Sequence, residues 1–368
     1  MNMENHQINT PIRILVIGCG NMGSSHALAY HTMTAFEICG LVSSGRSKDI
    51  LNEKLGGQYK TFTDVNEAFE TTTPQAVCIS TYPDTHEQYI LQALENNCHV
   101  FVEKPIADTL EGALRVQQAI QQSGKKLVVG YILRHHPSWI RFVTEARQLG
   151  TPLVMRMNLN QQSQGNTWKT HKSLMKTVSP IVDCGVHYID VMCQMSKGIP
   201  EKVCAIGARL TDELEPSAYN YGQLQIQFSD GSVGWYEAGW GPMISENAYF
   251  IKDVIGPKGS ISILAKNAQS QGNSDTVEAH TQTEQLLLHH AQLDDDGKFV
   301  LRDEWIDTQD EPDHYALCKR EQEYFLKAIL EDIDLNKATE DAINSLRIAM
   351  ACDESIRTGR MIHLSKNH

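Results

Sequence analysis

Two short stretches of this 368-residue chain carry side chains suited to chemistry. Glu103-Lys104-Pro105 ends an apolar run, Cys98-His99-Val100-Phe101-Val102, that reads as a buried parallel strand. The proline stops the strand and fixes the backbone behind the lysine. Lys104 is thereby held at the carboxyl edge of a sheet, where open α/β sheets bind ligands, and is a candidate for chemistry rather than for solubility. The second stretch is Asp183-Cys184-Gly185-Val186-His187-Tyr188-Ile189-Asp190. It falls within Ser179 to Met195, which reads as one helix with Ser179 as N-cap and Pro180 at the first helical position. Asp183 and His187 stand at i and i+4 on one face, and Asp190 follows at i+7 on the same side. Ile181, Val182, Val186, Ile189 and Val191 cover the rest, and a polar stripe in so apolar a helix is costly unless it is paired or lines a cavity.

A third motif names a ligand. Gly18-Cys19-Gly20-Asn21-Met22-Gly23 is a GxGxxG that follows an apolar strand, interrupted only by Arg13, and opens a helix. The first glycine makes the tight turn, the second lets a pyrophosphate approach, and the third packs helix on strand. The backbone N–H groups of the helix start, around Asn21 and Met22, and the positive end of its dipole suit the phosphates. The end of the second strand, Leu41-Val42-Ser43-Ser44-Gly45-Arg46, lacks the carboxylate that NAD enzymes place about 20 residues after the motif. Ser43 and Ser44 can hydrogen-bond a 2′-phosphate and Arg46 can pair with its charge, so NADP is favoured and NAD is the alternative. Asp49 is a poorly placed ribose ligand.

The elements that position these residues follow from periodicity. Strands at Ile12 to Ile17, Phe36 to Ser43, Ala76 to Thr81, His99 to Glu103 and Lys126 to Ile132 alternate with helices at Asn21 to Met33, Asp64 to Glu70, Asp84 to Asn96 and Thr109 to Ser123. Continuous apolar strands between amphipathic helices mean an α/β Rossmann domain, a parallel doubly wound sheet covered on both faces. The pattern changes near Arg134. After a helix from Pro137 to Leu149 come longer, alternating strands: Glu201 to Leu210, Leu224 to Phe228, Val233 to Ala238 and Lys258 to Leu264. The turn Ser229-Asp230-Gly231-Ser232 marks a hairpin. This predicts an α+β domain with a large, mostly antiparallel open sheet, whose uncovered face is available to a neighbouring subunit. The expected division is a dinucleotide-binding domain over 1–133 and a substrate-binding and oligomerisation domain over 134–368. Ala265 to Asp296 reads as polar and irregular. Helices at His314 to Leu330 and Thr339 to Thr358, the second stopped by Gly359, end the chain.

Bulk composition narrows the class. Hydrophobic content of 41% supports a sizeable core, and a net charge of −13 argues against nucleic acid or anionic membrane as a partner. Nine cysteines at irregular spacings, with no CxxC, read as reduced thiols rather than a disulfide framework. Met1 to Asn9 is polar and unlike a secretory signal, and no run of about 18 apolar residues exists to span a membrane, so a cytoplasmic location is expected. His135-His136 and His289-His290 have no partners at ligand spacing, and no metal site is expected.

Taken in order, these motifs resemble the glucose–fructose oxidoreductase / inositol dehydrogenase / rhizopine-catabolism (Gfo/Idh/MocA) family over nearly the whole chain. GxGxxG opens it. Ser80-Thr81-Tyr82-Pro83-Asp84-Thr85-His86 is similar to the loop after the fourth strand, and His99 to Pro105 to the EKP segment. Arg134 is similar to the loop leaving the nucleotide domain, and Asp183 to Asp190 to a D-x-x-x-H-x-x-D helix. The resemblance implies an NAD(P)-dependent oxidoreductase of a sugar, cyclitol or related polyol. It places Thr81, Tyr82, His86, Glu103, Lys104 and Arg134 with the cofactor. It implies that Lys104 touches the substrate hydroxyl, that His187 is the acid/base, and that Asp183 orients it or the substrate. Trp168, with Lys169 and His171, either lines the sugar pocket or belongs to a solvated loop, and Asp190 reads as a structural partner ahead of a catalyst. The stretch Lys176 to Pro180 departs from the glycine run of many relatives. Two other readings remain at this stage: a glycoside hydrolase using transient oxidation with a retained cofactor, and a cofactor-sensing regulator without turnover. Retention of Lys104, Asp183 and His187 counts against the regulator.

Overall fold

The structure, a computed structural model, describes residues 10–245, 250–264, 281, 283, 285–308 and 311–364. The polar N-terminal residues 1–9 and the stretch 265–280, part of the segment read as irregular, lie outside them. The chain divides into two units, one made of Met1–Gly130 and Tyr315–Glu340, the other of Tyr131–His314 and Asp341–His368. The sequence placed one crossing at residue 133. The chain crosses after Gly130 and then returns, because a late helix belongs to the first unit.

The first unit is built on a six-stranded sheet of β1 (Ile12–Ile17), β2 (Phe36–Val42), β3 (Thr61–Phe62), β4 (Ala76–Ile79), β5 (His99–Glu103) and β6 (Leu127–Gly130). Their order is β3-β2-β1-β4-β5-β6, and every pair is parallel. The helices are α1 (Asn21–Thr32), α2 (Ser47–Lys54), α3 (Val65–Thr72), α4 (His86–Glu95) and α5 (Leu110–Ser123). Asp64 caps α3 by accepting from Glu67 N–H, and Thr109 caps α5 by accepting from Gly112 N–H. Strands β1 and β4 are buried along nearly their whole length, as strands covered on both faces must be. The order reverses direction between β1 and β4, the switch point at which such sheets bind ligands.

The second unit carries α6 (Pro137–Gln148), β7 (Val154–Gln162), α7 (Gly165–Leu174), α8 (Pro180–Asp183), α9 (Gly185–Met195), β8 (Pro200–Ala208), β9 (Tyr221–Phe228), β10 (Val233–Gly241), β11 (Lys252–Gly256), β12 (Gly259–Leu264), β13 (Gln285–His290) and β14 (Glu304–Asp307). After α10 (His314–Leu330), which returns to the first unit from Tyr315 onward, come α11 (Asn336–Thr358) and β15 (Ile362–His363). The nine-stranded sheet has the order β14-β13-β12-β11-β7-β10-β9-β8-β15. All its pairs are antiparallel except β7 with β10, which run parallel. One face is apolar and buried: Met155, Met157 and Leu159 on β7, Leu224 and Ile226 on β9, Tyr236 and Ala238 on β10. The β9–β10 hairpin turns on Gly231 at φ +83°, a conformation that needs glycine.

Three expectations require correction. The segment 179–195 is two helices, not one. Ser179 does cap the first by accepting from Val182 N–H, but the helix breaks at Cys184, where His187 N–H bonds back only three residues to the Cys184 carbonyl at 3.3 Å. Trp168 and His171 lie on a helix and are buried, so the solvated-loop alternative falls. Within the stretch read as irregular, β13 forms because its residues alternate between a buried and a half-buried face.

Candidate functional site

The turn from β1 into α1 shows why three glycines stand where they do. Gly18 adopts φ +93°, and a Cβ there would lie 2.4 Å from the Ser80 carbonyl oxygen. A Cβ on Gly23 would lie 1.8 Å from the Gly18 carbonyl oxygen. Both positions are closed to any side chain by neighbouring backbone. Gly20 is different: a Cβ there would meet nothing within 4 Å. That open space lies in front of the α1 N-terminus, whose cap residue Gly20 makes no side-chain cap bond, so the N–H groups of Asn21 and Met22 are offered outward. The residues present therefore fit a dinucleotide pyrophosphate.

Around this turn, Ser43 hydrogen-bonds Ser47 between hydroxyls at 2.7 Å, while Ser44 and Arg46 are exposed at the start of α2. Thr81 and Thr85 share a hydroxyl contact of 2.7 Å, and the Tyr82 ring is half exposed. His86 behaves otherwise than expected of a cofactor ligand. It is fully buried, with Nδ1 2.7 Å from the Pro105 carbonyl and Nε2 3.1 Å from the Thr81 carbonyl. Burial is the chief cause that holds its pKa below the ordinary value, and each ring nitrogen faces a backbone carbonyl. Its role is to brace the loop after β4 against the loop after β5. Lys104 is half-buried at the end of β5. Its backbone N–H donates to Glu103 Oε2 at 3.2 Å, and Glu103 Oε1 lies 2.7 Å from His26 Nε2. His26, which sequence reasoning missed, stands on α1 three residues beyond Gly23. His26, Cys318 and Glu321 bring ligand-type atoms within 4.8 Å of one another. Both imidazole nitrogens are already engaged, by Glu103 and Gln322, so the ring has no lone pair to give a metal.

In the second unit, Asp183 and His187 are both half-buried on the α8–α9 segment. The Tyr131 ring meets the His187 ring edge-on at 5.6 Å between centroids, and the Cys184 thiol donates to Asp183 Oδ2 at 3.4 Å. Asp190 is buried and is gripped by Arg134, whose Nε donates to Oδ2 at 2.8 Å while its Nη2 donates to Oδ1. Burial pushes the Asp190 carboxyl up, and the Arg134 guanidinium pulls against it. Nη2 of Arg134 also donates to Asp341 at 3.0 Å, so the guanidinium charge expected near a cofactor is matched by two carboxylates of its own unit. Trp168 is buried, its indole N–H donating to Glu213 at 3.2 Å and its ring lying under the Lys172 ammonium at 5.5 Å. His171 stacks on Trp240 with centroids 4.3 Å apart. Both residues are packed into the second unit.

Two family models match the chain in succession. Residues 12–131 match the family described as "Oxidoreductase family, NAD-binding Rossmann fold", and residues 144–364 match "Oxidoreductase family, C-terminal alpha/beta domain". An inositol 2-dehydrogenase of Burkholderia cenocepacia is 28% identical over 187 residues, which is 49% of this chain and 53% of that protein. The chain thus aligns with about half the length of the curated relatives it matches. Among solved structures, GenD2 from gentamicin A biosynthesis, in complex with NAD, superposes with a TM-score of 0.77 at 20% identity over 100% of this chain and 99% of that one. The scyllo-inositol dehydrogenase of Lactobacillus casei with bound NAD(H) and scyllo-inositol gives 0.72 at 22% identity, over 96% and 99%. At such identities the likeness speaks for the fold. The family matches cover both units, and on them the chain belongs to the Gfo/Idh/MocA family of NAD-binding oxidoreductases.

Proposed function

We propose that this protein is an NAD(P)-dependent oxidoreductase that moves hydride between the nicotinamide and a hydroxyl or carbonyl carbon of a sugar, cyclitol or related polyol. The observation that carries the reading is Lys104 at the carboxyl end of β5, its backbone pinned to Glu103, in the same unit as an open glycine turn. The inositol dehydrogenases among its relatives support the substrate class. The bound dinucleotide supplies the hydride acceptor or donor. In the oxidative direction the Lys104 ammonium lowers the pKa of the alcohol and stabilises developing alkoxide charge. His187 takes the hydroxyl proton at a ring nitrogen, and Asp183 fixes the tautomer that leaves that nitrogen available. In reverse, His187 returns the proton to a carbonyl oxygen.

NADP is the proposed cofactor. Ser44 and Arg46 are exposed beside Ser43 at the start of α2, and no carboxylate ends β2. A homodimer or homotetramer through the open sheet is supported by exposed apolar side chains on its outer face, among them Val154, Ile206 and Val233. A cytoplasmic location fits nine cysteines without a disulfide among the described residues. No described helix is long and apolar enough to cross a membrane. The test is a panel of sugars and cyclitols with NAD and with NADP, read by absorbance of the reduced nicotinamide. The reading expects turnover with at least one polyol and a lower KM for NADP. No turnover across the panel, with dinucleotide bound, counts against it.

A further inference from the structure

A chain of buried hydrogen bonds in the first unit ends on the backbone of Lys104. Tyr30 on α1 donates its hydroxyl to Gln322 Oε1 on α10. Gln322 Nε2 lies 3.0 Å from His26 Nδ1, His26 Nε2 lies 2.7 Å from Glu103 Oε1, and Glu103 Oε2 accepts the Lys104 N–H at 3.2 Å. Tyr30, His26 and Gln322 are each at most 1% exposed, and Glu103 is 7% exposed. With the Gln322 amide oriented so that its oxygen meets the Tyr30 hydroxyl, the chain has one neutral assignment. The amide N–H donates to Nδ1, so His26 carries its proton on Nε2 and gives it to Glu103. The opposite tautomer would set an imidazole lone pair against a carboxylate.

The surroundings leave room for the Glu103 carboxylate and confine the His26 ring. Gly130 stands opposite Glu103 on β6, and a Cβ there would come within 3.3 Å of Oε1, so glycine leaves room for the carboxylate. The Phe101 ring meets His26 edge-on at 4.7 Å and limits its rotation. Glu321, next to Gln322 on α10, is 1% exposed, and neither of its carboxyl oxygens has a hydrogen-bond partner among the described residues. Burial holds the Glu321 carboxyl well above the ordinary carboxylate range, and the Glu103 charge adds to that.

We propose that Gln322 and Tyr30 are positioning residues for Lys104: through His26 they fix the tautomer and the carboxylate that hold the lysine at the end of β5. This deepens the reading in which Lys104 acts on the substrate. It gives the returning helix α10 a task in catalysis, since without Gln322 the His26 ring has no donor at Nδ1.

The test joins kinetics to nitrogen NMR of imidazole-labelled protein, with the His26 signal assigned by its loss in His26→Gln. Gln322→Met should lower kcat about tenfold to a hundredfold, the scale of a misplaced catalytic group, with substrate KM and dinucleotide Kd within about twofold of wild type. Glu103→Ala combined with Gln322→Met should be no slower than Glu103→Ala alone, because both act on one link. Tyr30→Phe removes a single hydroxyl, should lower kcat in the same direction, and serves if Gln322→Met does not fold. Wild-type kcat in both variants, or losses that multiply in the Glu103→Ala background, would overturn the proposal. If the wild-type protein turns over no polyol, the functional reading fails while the NMR still decides the network: wild type should show the neutral Nε2–H tautomer with a hydrogen-bonded Nδ1, and Gln322→Met should move the Nδ1 signal to that of an unbonded lone pair. An Nδ1–H tautomer or an imidazolium in wild type sinks it.

Discussion

Replacing Gly20 and Gly23 by alanine should produce opposite phenotypes, although the two glycines lie in one motif. At Gly23 the new methyl would sit 1.8 Å from the Gly18 carbonyl oxygen, and backbone can yield only by separating α1 from β1. Overpacking of this kind costs about 3 kcal/mol, the top of its usual range. At about 2–4 °C per kcal/mol for a domain of this size, Tm should fall by about 6–12 °C. At Gly20 the methyl meets nothing, and the backbone there, φ −75° and ψ −159°, is open to any L residue. Gly20→Ala should leave stability within about 1 kcal/mol of wild type, on the stabilising side, because alanine restricts the unfolded chain. Its methyl occupies the space through which the pyrophosphate must approach, so dinucleotide affinity should drop at least about tenfold, or about 1.4 kcal/mol. Differential scanning calorimetry reads the first quantity and fluorescence titration with NAD and NADP the second. Wild-type affinity in Gly20→Ala, or wild-type Tm in Gly23→Ala, would refute the reasoning about this turn.

Arg46→Ala should raise KM for NADP about tenfold while leaving KM for NAD within about twofold, since only the 2′-phosphate offers the guanidinium a charge; equal effects on both cofactors would argue against that contact. Asp190→Ala should destabilise the protein by about 3 kcal/mol, the lower end for breaking a buried pair, because Asp341 still partners Arg134; a change under about 1 kcal/mol in urea denaturation would contradict this. His99 is held down to about 4 from 6.5, chiefly by burial and then by Lys125 and Lys126, and its Nδ1 accepts the Lys126 N–H at 3.1 Å. The unfolded chain then binds the extra proton between those two values, so stability is retained above pH 6.5 and lost as pH falls toward 4. For this partly exposed ring the slope should stay under about 1 kcal/mol per pH unit, and His99→Gln should flatten it in urea titrations.

Much of the first unit was legible because its signals are local. The strand Ile12–Ile17 and the helix His314–Leu330 have the bounds that periodicity gave them, and in the second unit Ser179 caps where its residue type predicts. What escaped depends on tertiary context. The helix α2 and the two-residue β3 lie in polar sequence with little periodicity. The break at Cys184 falls next to Gly185, which packs on the Tyr236 ring, where a Cβ would lie 3.0 Å from the nearest atom. The return of α10 to the first unit has no local mark, because an amphipathic face does not state which core will cover it. The same holds for the site. Gly18, Gly23 and Lys104 carry motif signals, whereas Gln322 meets His26 across 296 positions of sequence. His86 and Arg134 are placed with the cofactor by the family resemblance, and their hydrogen-bond partners reveal contacts that each makes within its own unit.

The central claim is that the lysine ending β5 acts on the substrate rather than holding the fold. Its most direct test is the kcat of Lys104→Ala at saturating dinucleotide with a polyol that the wild-type protein turns over. The account predicts turnover lost by at least about a thousandfold, near 4 kcal/mol of transition-state stabilisation, while dinucleotide binding persists. A variant that keeps wild-type kcat would contradict it.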